Sequence, residues 1–165
     1  MVKNKRSILL IGHLTNYPSG SSISFKQLVD MLGSYDNINL EVINTYRPAH
    51  LTNNRLVNLL IGLKVTLLVL LNVRKAQVVS YHASRQAMMK FSAVLFLITC
   101  FYRKPLVLRL FGGTLEKEYE ALSFVRRWLF NKTILSADLV LLQTRHLVNF
   151  FNNYTNRGNI EWYYN

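Results

Sequence analysis

Cysteine is almost missing from this chain of 165 residues: Cys100 is the only one. That excludes an internal disulfide and any multi-cysteine metal site, and Cys100 reads as a core residue of a helix. Acidic residues are scarce too, with 8 Asp and Glu against 20 Lys and Arg, a formal net charge of +12. The deficit is local. No carboxylate falls between Glu41 and Glu116, whereas Arg47, Arg55, Lys64, Arg74, Lys75, Arg85, Lys90, Arg103, Lys104 and Arg109 all do. Such a surplus points to an anionic partner: nucleic acid, an acidic lipid surface or a phosphate-bearing substrate. The same region holds the most apolar segments, and this combination favours an anionic membrane surface. Nucleic-acid binding wants basic residues interleaved with exposed aromatics. The aromatics here sit mostly at core spacing, so no nucleic-acid partner is expected.

Several signature motifs are also absent. No G-x-G-x-x-G follows the first apolar run and no acidic residue is placed for a ribose, which argues against a nicotinamide dehydrogenase. No G-K-[ST] is present, which removes a P-loop NTPase, and there is neither a G-x-S-x-G elbow nor a metal-spaced histidine pair. No metal site and no self-contained catalytic centre are expected. Repeats and low-complexity linkers are missing as well. Half of the residues are hydrophobic, which excludes disorder, and residues 1–165 fit one domain with a real core. The N-terminal M-V-K-N-K-R before I-L-L-I-G-H superficially resembles a signal peptide. Its apolar run is too short and no small-residue cleavage site follows, so a cytoplasmic first strand is expected. The sequons at Asn131 and Asn153 read as chance matches.

What is present is an alternation of strands and helices. Ile8–Ile11 is a continuous apolar run, the pattern of a strand buried on both faces of a parallel sheet. Gly12 ends it, and Asn16, Pro18, Ser19 and Gly20 form a loop of turn-formers. Ser21, Ser22 or Ser24 is then expected to cap a helix with Phe25, Leu28, Val29 and Leu32 on its apolar face, and Gly33 suits a left-handed closing residue. Asn39–Asn44 is a second strand, followed by a loop at Tyr46–Asn54 in which Pro48 bars a helix. Arg55–Lys75 is apolar nearly all round, but Asn58, Lys64, Thr66 and Asn72 interrupt it. A spanning helix wants about 20 mostly apolar residues, so a buried or interfacial helix is expected. Gln77–Ser80 is a third strand, ending in Tyr81-His82. A helix capped by Ser84 follows, with Met88, Phe91, Leu95 and Ile98 inward and Arg103-Lys104 near its C-terminus. Pro105 starts a fourth strand that runs into Gly112-Gly113-Thr114. One helix then carries Glu116, Glu118 and Glu120 early and Arg126, Arg127 and Lys132 late, complementing its dipole. Ala137–Leu142 is a fifth strand, Thr144 caps a helix through Leu147, Val148 and Phe151, and Ile160–Tyr163 is a sixth strand. The predicted fold class is α/β: a Rossmann-like, doubly wound, mostly parallel six-stranded sheet with helices on both faces.

In such a sheet ligands bind beyond the C-terminal ends of the strands. That rule selects His13, Gly20, Ser21, His82, Arg109, Gly112, Gly113 and Thr144 as candidate substrate-binding residues. His13 and His82 read either as hydrogen-bonded loop residues or as groups lining one crevice. Arg109 lies in an apolar strand, where an unpaired charge is costly, so it either meets a carboxylate or points to a ligand anion. Gly112-Gly113 is either a simple tight turn or a place where a ligand approaches the backbone closely. No catalytic residue can be named.

The order of these features resembles the N-terminal, acceptor-side domain of GT-B glycosyltransferases, especially glycosyltransferase family 4. I-L-L-I-G-H…Y-P-S-G-S-S with S-F-K-Q-L-V-D-M-L is similar to that family's first strand, glycine-containing loop and first helix. V-V-S-Y-H-A-S and R-K-P-L-V-L-R-L-F-G-G-T resemble its strands with polar or glycine-rich ends, and S-A-D-L-V-L-L-Q-T-R-H-L resembles its "ADxVxxxS" segment. N-I-E-W-Y-Y-N is similar to the strand and asparagine that precede the second domain. The resemblance implies transfer of a sugar from a nucleotide-sugar to a polysaccharide or glycolipid acceptor at the inner surface of a bacterial membrane. It implies a sugar or lipid-linked acceptor here, no cofactor beyond the donor substrate, and a donor-binding domain or partner chain elsewhere. Phe111 stands where many members have a histidine, so no catalytic role carries over to it. The alternatives are an acceptor-binding subunit of a split enzyme and a non-catalytic basic membrane-surface module.

Overall fold

The apolar runs become the strands of one parallel sheet. The computed structural model describes residues 5–15, 19–46 and 55–163. In chain order its elements are β1 (Arg6–Gly12), α1 (Gly20–Gly33), β2 (Ile38–Asn44), α2 (Arg55–Asn72), β3 (Val78–Ser84) and α3 (Arg85–Phe101). There follow β4 (Leu106–Phe111), α4 (Leu115–Glu120), α5 (Phe124–Thr133), β5 (Leu139–Leu142), α6 (Arg145–Asn152) and β6 (Ile160–Trp162). The strand order is β2-β1-β3-β4-β5-β6, and every neighbouring pair is parallel. The fold is the expected Rossmann-like α/β fold. The turn residues Asn16 and Pro18, the loop residues 47–54 with Pro48, and the two terminal stretches 1–4 and 164–165 lie outside the described residues.

The chain steps from β1 to β2 in one direction and from β2 to β6 in the other. Right-handed crossovers therefore set α1 on one face of the sheet and the later helices on the opposite face. Strand alternation agrees. Leu9, Ile11, Val79, Tyr81, Leu106, Leu108 and Leu110 are buried in one core with Val65 and Val69 of α2, Leu95 of α3 and Phe130 of α5. Burial of each such side chain contributes roughly 1.5–3 kcal/mol. The alternate residues Ile8, Leu10, Val107 and Arg109 face a groove walled by Leu28 and Leu32 of α1.

Local chemistry moves several boundaries. Ser19, rather than Ser21, Ser22 or Ser24, caps α1: its hydroxyl accepts from the Ser22 N–H at 3.3 Å and the Ser22 hydroxyl accepts from the Ser19 N–H at 2.9 Å. The serine run allowed several registers, and the reciprocal pair satisfies two helix-end donors at once. Gly33 is the last helical residue and not a left-handed cap; Ser34 ends the helix in right-handed geometry, its N–H reaching Asp30 and Met31 carbonyls. The strand expected at Gln77–Ser80 runs on to Ser84, so His82 sits within β3 and not beyond it. Ser84 precedes α3 without a side-chain cap bond. The single helix expected from Glu116 to Lys132 is two, α4 and α5, broken at residues 121–123. Cys100 is exposed in the last turn of α3 and not in the core. That turn closes on Arg103 at φ 52°, a left-handed residue with no glycine to relieve it.

Two of the polar interruptions of α2 are satisfied within the helix. The Thr66 hydroxyl donates to the Gly62 carbonyl at 2.8 Å and the Asn72 amide to the Leu68 carbonyl at 2.9 Å. Among the described residues, no helix is long and apolar enough to cross a membrane.

One contact fixes where α1 lands. A methyl group at Gly12 would come within 2.6–2.8 Å of three ring carbons of Phe25, and that ring is fully buried. Gly12→Ala is therefore expected to destabilise the fold by about 1–3 kcal/mol, the range for overpacking a filled core. Denaturant unfolding of Gly12→Ala and of Gly12→Ala with Phe25→Leu checks this, and the second change should recover part of the loss. Equal stability of wild type and Gly12→Ala would mean that the helix does not rest on this glycine.

Candidate ligand crevice

Strand β1 stops at a glycine, β3 stops at Ser84, and the first turn of α1 lies across the gap between them. The result is a crevice of about 420 Å³ at the C-terminal edge of the sheet. Its polar rim comes from His13 after β1, Ser19 and Ser21 at the start of α1, Thr45 after β2, and His82 and Ser84 of β3. Gln86 and Lys90 of α3 supply an amide and a cation, while Phe25, Phe91 and Phe111 give apolar floor. Among the described residues, no carboxylate lines it. Among the described residues, no three His, Cys, Asp or Glu side chains come together as a metal-ligand group.

His82 is the most constrained polar group in the site. It is only 4% exposed, with its ring 5.0 Å from Phe25 and 6.4 Å from Phe111. Its Nε2 shares a 3.0 Å hydrogen bond with the Ser80 hydroxyl, while its Nδ1 is buried with no partner among the described residues. Burial first, and the positive charge of Arg109 second, push its pKa down to about 3. The imidazole is thus neutral at ordinary pH, with one nitrogen left to pair with whatever enters. An unpaired buried polar atom costs roughly 1–3 kcal/mol, a penalty that a ligand hydroxyl relieves. His13, against the Tyr46 ring at 5.3 Å, is also shifted down by burial.

The predicted candidates divide into groups. His13, Ser21 and His82 line the crevice. Gly20 is the first residue of α1, with open space where a side chain would be, and is not part of the crevice wall. Arg109 pairs in register with His82 on the same face of the sheet, and its side chain lines the groove beside α1, which His82 also borders, and not the crevice wall. Its guanidinium donates to the Ser24 hydroxyl at 3.0 Å and lies over the rings of Tyr163, at 4.2 Å, and Phe111, at 5.2 Å. These contacts give it a structural role, tying β4 to α1 and to the end of β6. Burial pushes the Tyr163 hydroxyl up, with Arg109 opposing.

The glycine pair after β4 is a turn with a fixed use. Gly112 has φ 122°, which only glycine adopts readily, and its N–H donates to the Gln143 side chain at 2.7 Å. Thr144 caps α6 through the Leu147 N–H, and neither glycine nor Thr144 reaches the crevice wall. Arg85 anchors this turn to α3, through Thr114 and a 2.6 Å ion pair with Glu118.

The reading of the sequence missed Ser19, Thr45, Ser84, Gln86, Lys90 and Phe111 as lining residues. Ser84 and Gln86 were one strand length away from discovery: extending β3 by four residues brings both to its exit. Lys90, one turn into α3, carried no such signal. No protein-family model matches this chain, and a search of curated proteins returns no match.

The lowered pKa of His82 has a sign that can be checked. Below about pH 6.5 the unfolded chain protonates this histidine while the folded chain does not until about pH 3. The unfolded state then binds more protons, so stability falls as pH drops through that window, by up to about 1.4 kcal/mol per pH unit from this group. His82→Gln should show a shallower fall between pH 6.5 and 4 in denaturant unfolding. Parallel curves for the two proteins would place the native His82 pKa near its ordinary value.

Proposed function

We propose that this chain is the acceptor-binding part of a GT-B type glycosyltransferase, similar to glycosyltransferase family 4. Its crevice takes a sugar or lipid-linked acceptor, and a further domain or a partner chain holds the nucleotide-sugar. A peripheral position on the cytoplasmic surface of a bacterial inner membrane is the setting that this resemblance implies. The observation that carries the reading is the lining of the crevice. Among the described residues, hydroxyls, an amide and neutral imidazoles surround a space of about 420 Å³ with aromatic floor, and one cation, Lys90, stands at one side. Polyhydroxyl ligands want short uncharged donors and acceptors with apolar surface for their C–H faces. The neutral His82 suits a ligand hydroxyl in either sense, because its free Nδ1 accepts in one tautomer and donates in the other.

The lining also supports a division of labour. Among the described lining residues the groups suited to acid–base chemistry are His13 and His82, and His82 resists protonation. Binding and orienting the acceptor is the role this part supports. Orientation of two reactants supplies a large part of a transfer enzyme's rate, and the donor must then come from elsewhere.

Titration with a panel of neutral disaccharides and sugar phosphates, followed by amide chemical shifts, tests the reading. Changes should centre on Ser21, Thr45, His82 and Ser84. Lys90→Gln should weaken a sugar phosphate by roughly 10-fold or more, the equivalent of one charge-assisted hydrogen bond of about 1.5–3 kcal/mol, and leave a neutral sugar unchanged. Shift changes scattered away from the crevice, or none at millimolar ligand, would sink it.

A further inference from the structure

Helices α2, α3 and α5 lie side by side on one face of the sheet, with α3 between the other two. Each turns one stripe inward: Val65 and Val69, Met88 and Leu95, Phe130 and Thr133 are buried. The outward stripes are apolar as well. Leu56, Leu60, Leu63 and Leu67 on α2 stand out from the surface, with Leu56 71% exposed. Leu97 and Phe101 continue the surface on α3, Phe101 being 79% exposed. On α5, Phe124 is 84% exposed and Trp128 is 55% exposed. A stripe such as 124, 125, 128 and 129 repeats at the helical period, so these side chains share one outward face of α5. Soluble chains rarely leave so much contiguous apolar surface unpartnered.

Charge selects the partner. None of the three helices contains an acidic residue. Lys64 on α2, Lys90 on α3 and Lys132 on α5 are exposed among or beside the outward apolar side chains. A second copy of this chain docked by the same face would bring lysines against lysines. An anionic lipid surface instead receives the apolar side chains among its acyl chains and pairs the lysines with headgroups. The length and polarity of the helices fit lying in the interface: none of those described can span a membrane.

We propose that the outer face of α2, α3 and α5 is a docking surface for an anionic bilayer, with Phe124 and Trp128 of α5 entering the acyl region. Helix α5 extends the surface beyond the two apolar segments that the sequence marks out. The inference stands apart from sugar binding in the crevice, because Leu97, Phe124, Trp128, Lys64 and Lys132 do not line it, and only Lys90 is shared.

Trp128 is the natural reporter. In a Trp162→Phe background it is the sole tryptophan. Vesicles containing phosphatidylglycerol should shift its emission to the blue and allow quenching by brominated acyl chains, and vesicles of phosphatidylcholine alone should do so far less. Lys64→Gln with Lys132→Gln should lower the partition coefficient roughly 30-fold, converting about 1 kcal/mol per lysine near an anionic surface. Phe124→Ser with Leu97→Ser should reduce partitioning while circular dichroism stays unchanged, since both side chains are exposed. Equal recovery from both vesicle types, with no quenching, would overturn the proposal. So would a stable dimer in sedimentation velocity that already buries Trp128 and persists with vesicles present, which assigns the face to a second copy.

Discussion

The packing of Phe25 against the bare backbone of Gly12 is the contact on which the crevice depends. It brings the first turn of α1 down onto the C-terminal ends of β1 and β3, and in the same step covers His82. The topology makes that place special. Between β1 and β3 the direction of winding reverses, so α1 and α2 leave on opposite faces of the sheet and a gap opens above the two strand ends. Any side chain larger than hydrogen at residue 12 would push the helix away from this gap. A looser α1 would leave the imidazole hydrated and the serines of its first turn out of reach of β3.

Burial and charge then divide the molecule into two chemically different regions. Around His82, low polarity and the nearby guanidinium of Arg109 keep the imidazole uncharged, and the surrounding groups are neutral donors and acceptors. Arg109 itself is held by Ser24 and the Tyr163 ring on the same side of the sheet as His82, so the residue that follows β6 helps to position the charge. Helices α2, α3 and α5 over the opposite face combine exposed leucines and aromatics with lysines, and contain no acidic residue of their own. Lys90 belongs to both regions, lining the crevice while exposed on the outward side of α3.

Much of the architecture was legible in the sequence, because continuous apolar runs separated by helical periodicity leave few alternatives to a parallel α/β sheet. The resolution of that reading ended where several residues could do the same job. The closely spaced serines at 19, 21, 22 and 24 could not reveal that Ser19 and Ser22 pair with each other. The polar residues of V-V-S-Y-H-A-S suggested an early strand end, yet Ser80 and His82 remain in the strand by bonding to one another. Residues 116–132 read as one helix because their charges suit a single dipole, and the break at 121–123 shows only in the packing of Tyr119 and Phe130 against α6. In the candidate site, the strand-end rule found His13, Ser21 and His82 and also selected Arg109, which shares the face of His82 but lines the groove beside α1. Alternation along β4, with Leu108 and Leu110 in the core, places Arg109 on that α1 face.

The central claim is that His82 is a neutral, half-satisfied imidazole facing a ligand crevice. Nitrogen-15 NMR of the histidine side chains across pH tests it most directly. The account predicts ring resonances of His82 that remain those of a single neutral tautomer down to about pH 4, and an Nδ1 resonance that moves when a sugar ligand is added. An imidazole that titrates near pH 6.5 and does not respond to any sugar would contradict it.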